Sequence, residues 1–311
     1  MDERYLRTAM IMGQDAVRIL SDSHVAVFGV GGVGGYVVEG LARCGIGHID
    51  IIDNDKVCLS NLNRQIIATE KTLGRYKVDV AEERIYEINP NIEVKAHRCF
   101  YLPDGKTLDA DGNVVQNDPS GKILHDNATC CGMADIDFSR FDYIIDAVDT
   151  ITAKLGIISE AKKLNIPVIS AMGCGNRLDP TKLKVADIFE TRGDPLSRIM
   201  RKELKKRGID RLRVVYSTEK PIRPIEVNTT DERICDTSAN DIRNESDKGE
   251  NSFGQNDLSE AKETEDTQEN RTRKARRDTP GSAVFVPATA GLIIASIVCR
   301  ELAGIDIEEE T

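Results

Sequence analysis

Short apolar runs alternate with helix-period segments through the first half of the chain. Val25–Gly29 and His48–Asp53 have the composition of strands, and the spacing of apolar residues across Val33–Arg43 predicts the helix joining them. Val78, Ala81, Ile85 and Ile88 recur at helical spacing until Asn89-Pro90 stops that helix. Ile92–Phe100 alternates as a strand does, Tyr143–Val148 is a buried-strand run, Lys154–Asn165 is helical and Pro167–Ala171 returns to strand. This β-α-β rhythm predicts an α/β fold, a Rossmann-like, doubly wound and mostly parallel sheet covered by helices on both faces.

Two segments break the rhythm. Residues 103–133 are polar and rich in Gly, Asp and Asn, which predicts a surface insertion. Residues 239–280 hold almost no apolar side chains, begin acidic and end in the basic RTRKARR. Such a stretch cannot bury enough apolar area to offset its ordering entropy, so disorder is expected there. Ala283–Cys299 is the most hydrophobic stretch of the chain. A membrane span needs about 20 apolar residues; this one is shorter and contains Pro287, Thr289 and Ser296, so a buried C-terminal helix starting near Pro287 is expected. The organisation predicted is an N-terminal α/β domain over residues 1–171 and a C-terminal part over 172–238 and 281–311.

Composition narrows the possibilities. The net charge of −10 makes the surface as a whole repel nucleic acid, so contact with RNA would need a local basic patch. Eight cysteines include no CxxC pair, which argues against a structural zinc site. The N-terminal residues are charged and lack the apolar core of a leader, so an intracellular, cytoplasmic protein with mostly reduced thiols is expected.

The chemistry starts at GVGGVG. Gly29, Gly31, Gly32 and Gly34 fall between a predicted strand and a predicted helix, where bare backbone N–H groups and the helix N-terminus suit a pyrophosphate. Asp53, at the end of the second strand, is placed for ribose hydroxyls. This much fits NAD as well as ATP. Arg64 and Lys77 separate the two: hydride transfer needs no cations near the phosphates, whereas cleavage at the α-phosphate needs charge to stabilise departing pyrophosphate. Asp149, after the Tyr143–Val148 run, would stand on the ligand edge of the sheet and could hold Mg²⁺. Taken singly, Arg64 and Lys77 read as solvated charges and Asp149 as a helix N-cap; their order and spacing favour the site.

The set GVGGVG, IIDNDKV, SNLNRQ, GRYK and DAVDT, over residues 4–170, resembles the ThiF/MoeB-like adenylating superfamily, typified by the activators of ubiquitin-like sulfur carriers. The resemblance implies that Gly32 lies against the phosphates and Asp53, with Asp55 beside it, takes the ribose side. It implies that Asn61, Arg64 and Lys77 contact the phosphates, that Gln65 belongs to the cofactor-binding set and that Asp149 handles the metal. Arg7 matches the position from which an arginine reaches into the partner's site, which implies a homodimer. The paired CxxC motifs of the sulfur-carrier activators are missing. Instead LDPTKLKVADI, DPL, YSTEKP and PGSAVFVP look like the bacterial tRNA threonylcarbamoyladenosine dehydratase branch.

That branch implies ATP and Mg²⁺, admits a monovalent cation beside the nucleotide and a cysteine desulfurase or sulfur-acceptor partner, and needs no zinc. Its chemistry is adenylation of the threonyl carboxylate followed by attack of the neighbouring carbamoyl oxygen, which closes a ring and expels AMP. No cysteine thioester is required, so Cys174 and Cys235 are expected to be structural, a sulfur-handling role being the alternative. An activator of a small carrier protein, an NAD-dependent oxidoreductase and a non-catalytic adaptor are the competing readings.

RGDPLSRIMRKELKKRGIDRLR supplies the local reversal of charge. On a helix from about Pro195, Arg198, Lys202, Lys205 and Lys206 are expected near one face, with Arg201 adding to the basic set and Leu196, Ile199 and Leu204 making apolar contacts. These five cations are the expected tRNA phosphate contacts. A solvated amphipathic helix is the plainer alternative.

Overall fold

The computed structural model describes residues 2–99, 101, 107–108, 114–115, 136–225 and 280–305. Its strands are β1 (His24–Phe28), β2 (His48–Ile52), β3 (Glu93–His97), β4 (Thr107–Leu108), β5 (Val114–Val115), β6 (Tyr143–Asp146), β7 (Val168–Ala171), β8 (Leu183–Asp187) and β9 (Arg213–Ser217). Seven form one sheet in the order β3-β2-β1-β6-β7-β9-β8, while β4 and β5 make a separate antiparallel pair inside the expected insertion. Every pairing in the large sheet is parallel except β8 with β9. The helices are α1 (Leu6–Met12), α2 (Gln14–Asp22), α3 (Gly34–Cys44), α4 (Lys77–Ile88), α5 (Ile151–Lys163), α6 (Pro195–Lys206) and α7 (Phe285–Leu302).

Burial explains which elements the hydrophobic pattern revealed. Val25, Ala26, Val27 and Phe28 of β1 are wholly buried, as a strand covered on both faces requires. One face packs Val27, Ile49 and Ile51 against Val37, Leu41 and α7's Ile294 and Val298. The other packs Ala26, Phe28 and Ile144 against Ile157, Ile158 and α6's Met200 and Leu204. The expected Ile92–Phe100 strand is realised only as Glu93–His97, and Phe100 lies outside the described residues.

Local signals end the helices as expected. Gly45, at φ +95°, closes α3 with bonds from Gly45 and Ile46 back to Ala42 and Leu41. Helix α4 stops at Ile88, before Asn89-Pro90.

The part of the chain beyond Ala171 continues the same sheet through β9, and α7 packs on α3. Helix α7 starts two residues before Pro287, which falls in the first turn where a missing N–H costs no helical bond. By length and composition alone it could cross a membrane, but one face is buried against α3 through Gly291, Ile294 and Val298. Cys44, Cys174 and Cys299 carry free thiols, and Cys99 is disulfide-bonded. Residues 239–279 and most of 103–133, with Cys235, lie outside the described residues.

Candidate adenylation site

Because β1, β2, β6 and β7 are parallel, the segments leaving them emerge on one edge of the sheet. The glycine turn follows β1. Gly29 has φ +87°, and a Cβ there would stand 2.7 Å from the Ala147 carbonyl oxygen. A Cβ on Gly34 would stand 1.8 Å from the Gly29 oxygen, so the turn can close only on glycine. No side chain caps α3; the Gly35 and Tyr36 N–H groups donate to the Gly31 and Val33 carbonyls, and the positive end of the helix faces the turn.

Asp53 braces this turn. Its Oδ2 accepts from the Val30 N–H at 2.7 Å and its Oδ1 from the Asp55 N–H at 2.8 Å. Burial raises its carboxyl, with the charge of Asp55 adding to the effect and Lys77 opposing it. Lys77 opens α4, is 5% exposed and places Nζ 2.6 Å from Asp55 Oδ2. Burial alone would lower its ammonium, but Asp53 and Asp55 outweigh that and hold it protonated.

Arg64 reaches the turn from the other side. Its Cγ and Cδ stand 3.5 and 3.7 Å from where a Gly32 Cβ would be, and Nη1 donates to the Ser60 carbonyl and Asn63 Oδ1. Burial lowers its guanidinium from the ordinary value. Gln65 is buried, with Nε2 3.9 Å from a notional Gly31 Cβ and Oε1 lacking a partner among the described residues. Asn61 turns inward to accept from the Cys58 N–H and shapes the loop that carries Arg64.

Asp149 is exposed just past β6, and Thr150, not Asp149, is the N-cap of α5. What positions Asp149 was not anticipated from the pattern. Asp146, Lys154 and Ser170, each at most 1% exposed, form a buried network. Lys154 Nζ lies 3.1 Å from Asp146 Oδ2 and donates to the Ala171 carbonyl at 2.7 Å, while Asp146 Oδ1 accepts from the Val148 N–H. A carboxylate ending the apolar β6 and a lysine among the apolar residues of the first turns of α5 were the available signal. Among the described residues no group of three or more His, Cys, Asp or Glu side chains could hold a metal.

The loop after β7 adds a second unforeseen element. Arg177 and Asp194 form an ion pair at 2.8 Å with both side chains 1% exposed, and Asp194 also caps α6 by accepting from Ser197. The segment before α7 stitches this loop to the Arg64 side: Asn176 N–H donates to the Gly281 carbonyl and Asn63 Nδ2 to the Ser282 carbonyl. Cys174 donates to the Met172 carbonyl, and burial pushes its thiol up to about 12, which suits a structural thiol rather than a nucleophile.

Arg7 stands apart from this edge, and the cations of α6 divide by side-chain direction. Arg7 is exposed on α1, and the preceding Tyr5 packs on Gly45 at the far end of α3. Eleven helical residues span about 16 Å, so Arg7 is not brought to its own chain's glycine turn. On α6, Arg198, Lys202, Lys205 and Lys206 are exposed, but Arg201 turns inward and donates to the Ile188 and Thr191 carbonyls. Lys206 is paired with Glu203. The apolar side is also corrected: Met200 is buried, whereas Ile199 is 43% exposed.

The description "ThiF family" matches residues 5–187, more than half of the chain. The chain belongs to the ThiF family. It is 34% identical over 300 residues to the tRNA threonylcarbamoyladenosine dehydratase of Bacillus subtilis, a match covering 96% of this chain and 94% of the relative. Among solved structures it is similar to E. coli tRNA N6-threonylcarbamoyladenosine dehydratase in complex with AMP, at TM-score 0.68 and 26% identity. The same E. coli enzyme in complex with ATP superposes at TM-score 0.66 and 27% identity; both matches cover 97% of this chain and 94% of the solved one.

Proposed function

We propose that this ThiF-family chain is an ATP-dependent tRNA threonylcarbamoyladenosine dehydratase, an adenylating enzyme. The observation that carries the reading is the cradle around the glycine turn. Its floor is bare backbone, Arg64 lies across Gly32, and the buried Lys77 is held charged beside Asp53 and Asp55. Relatives with that name share nearly the whole length of the chain.

The residues then divide the work. The turn and the N-terminus of α3 take the phosphates, and Asp53, whose oxygens each keep a free lone pair, takes the ribose. The threonyl carboxylate oxygen attacks the α-phosphorus, and pyrophosphate leaves as Arg64 and Lys77 stabilise the developing charge. The carbamoyl oxygen then attacks the activated acyl carbon, a ring closes and AMP departs. Intramolecular attack has a high effective concentration, so positioning carries this step. A single exposed carboxylate at Asp149 suits Mg²⁺, which takes one or two protein carboxylates beside phosphate oxygens and water and supplies charge neutralisation for pyrophosphate departure.

We further assign tRNA phosphate contact to Arg198, Lys202 and Lys205, the exposed α6 cations that form no ion pair among the described residues, and Arg7 to the site of a second copy in a homodimer. A tRNA substrate supports a cytoplasmic location. The test is incubation with ATP, Mg²⁺ and threonylcarbamoylated tRNA, followed by mass analysis of the nucleoside. Loss of one water with formation of AMP and pyrophosphate is expected; AMP formed only when a small carrier protein is supplied would overturn the reading.

A further inference from the structure

The seam between α3 and α7 runs in register. Pro287 Cβ stands 3.4 Å from the position a Cβ on Gly32 would take, Tyr36 Cβ 2.8 Å from that of Gly291, and Ala295 Cβ 2.7 Å from that of Gly40. The partners advance together by one helical step on each side: Gly32 with Pro287, Tyr36 with Gly291, Gly40 with Ala295. Helices that keep step in this way run parallel, with i,i+4 rows facing each other. The next members of the row are Cys44, the last residue of α3, and Cys299 near the end of α7. Their thiols adjoin across the seam, Cys299 within the buried core and Cys44 packed against it. Both are free; Cys299 is buried and Cys44 is partly exposed.

We propose that Cys44 and Cys299 are an oxidative modification site, at which a peroxide closes the two thiols into a disulfide that staples α3 to α7. The glycines along the seam bring the helices close, as a disulfide requires, since its Cβ atoms stand about 3.8 Å apart. The roles of the two sulfurs differ. The hydrogen bond from Cys299 lowers the Cys44 thiol to about 7, and the same bond together with burial raises Cys299. Cys44 therefore reacts first and Cys299 resolves.

The atoms balance. The Cys44 thiolate sulfur attacks one peroxide oxygen, the O–O bond breaks, and hydroxide leaves as Cys44 becomes a sulfenic acid. Cys299 gives up its proton and its sulfur attacks Cys44 sulfur; the S–S bond forms and the S–O bond breaks, releasing the second oxygen as water. Two thiols and one peroxide yield one disulfide and two waters. The other end of the seam is Gly32, so the staple ties the helix of the phosphate turn to α7. The inference does not depend on the catalytic reading.

The experiment treats the full chain with equimolar hydrogen peroxide, blocks remaining thiols, digests without reductant and maps linked peptides by mass. A Cys44–Cys299 link is expected as the main new product, reversed by dithiothreitol and absent in C44S and C299S. The thermal midpoint should rise by about 5 °C on oxidation and fall back on reduction, because the bridge closes a very long loop. Because the map is made on the unaltered chain, it holds even if a variant folds poorly. Cys44 stopping at a sulfenic or sulfinic acid, a new link from Cys44 to another cysteine, or a Cys44–Cys299 link that leaves the midpoint unmoved would each overturn the proposal.

Discussion

The aliphatic stem of Arg64 lies across Gly32, its Cγ 3.5 Å from the point a Cβ on that glycine would occupy. A methyl group there makes ordinary contact with Arg64 and Pro287 but fills the space through which phosphates approach. Gly32→Ala should therefore fold with a stability change below about 1 kcal/mol and raise the KM for ATP several-fold. Gly34→Ala, with its Cβ 1.8 Å from the Gly29 oxygen, should cost more than about 3 kcal/mol. Denaturant melts and ATP titrations of both variants separate the two effects.

Arg64 and Lys77 should fail differently. Arg64→Ala is expected to lower the rate of adenylation by about 10²–10³ while the melting midpoint stays put, since its stem is only partly buried. Lys77→Ala leaves two carboxylates at close quarters without their buried cation, so rate and stability should fall together. Single-turnover pyrophosphate release beside thermal melts checks this, and an unaltered rate in Arg64→Ala would remove Arg64 from the site.

Lys154 tests the buried network under Asp149. Removing it strands Asp146 without a countercharge, a loss of about 3–5 kcal/mol. Lys154→Met paired with Asp146→Leu should recover part of that stability but not activity, because the bond from Val148 that turns the chain toward Asp149 goes with Asp146. Urea melts of the single and double variants provide the measurement.

Helix α6 should split by side-chain direction. Lys202→Ala with Lys205→Ala is expected to weaken tRNA binding and to reduce its salt slope by about 1–2, leaving the melt unchanged. Arg201→Ala should instead lower stability, since it unties α6 from the Ile188 and Thr191 carbonyls. Equal tRNA affinity and slope in the lysine double variant would rule this face out.

Asp50 gives a pH signature. Burial would raise its carboxyl, but bonds from His24 and His97, both at 2.8 Å, outweigh that and hold it well below the usual carboxylate range. A carboxyl lowered in the fold contributes stability above its unfolded pKa and loses it as pH falls toward the folded value. Asp50→Asn should thus be less stable than the parent at pH 7, with the gap closing below about pH 4. Thermal melts across that range that kept a constant gap would contradict the assignment.

The chain's own order determined the parallel sheet, the glycine turn and the placement of Asp53, Arg64, Lys77 and Asp149 on one edge. Buried apolar runs and glycines without room for a Cβ write themselves into local pattern. The edge strand β8 left almost no trace, because LKVAD is half solvated and carries little periodicity. Only tertiary packing decided that Asp146 and Lys154 neutralise each other across β6 and α5, that Arg201 turns inward while Lys202 does not, and that Arg177 binds the cap of α6. It alone set α7 in step with α3, bringing Cys44 to Cys299 across the length of the chain. Those outcomes depend on which charges find partners and which small residues let two helices approach, and both are relations between distant segments that no local window contains.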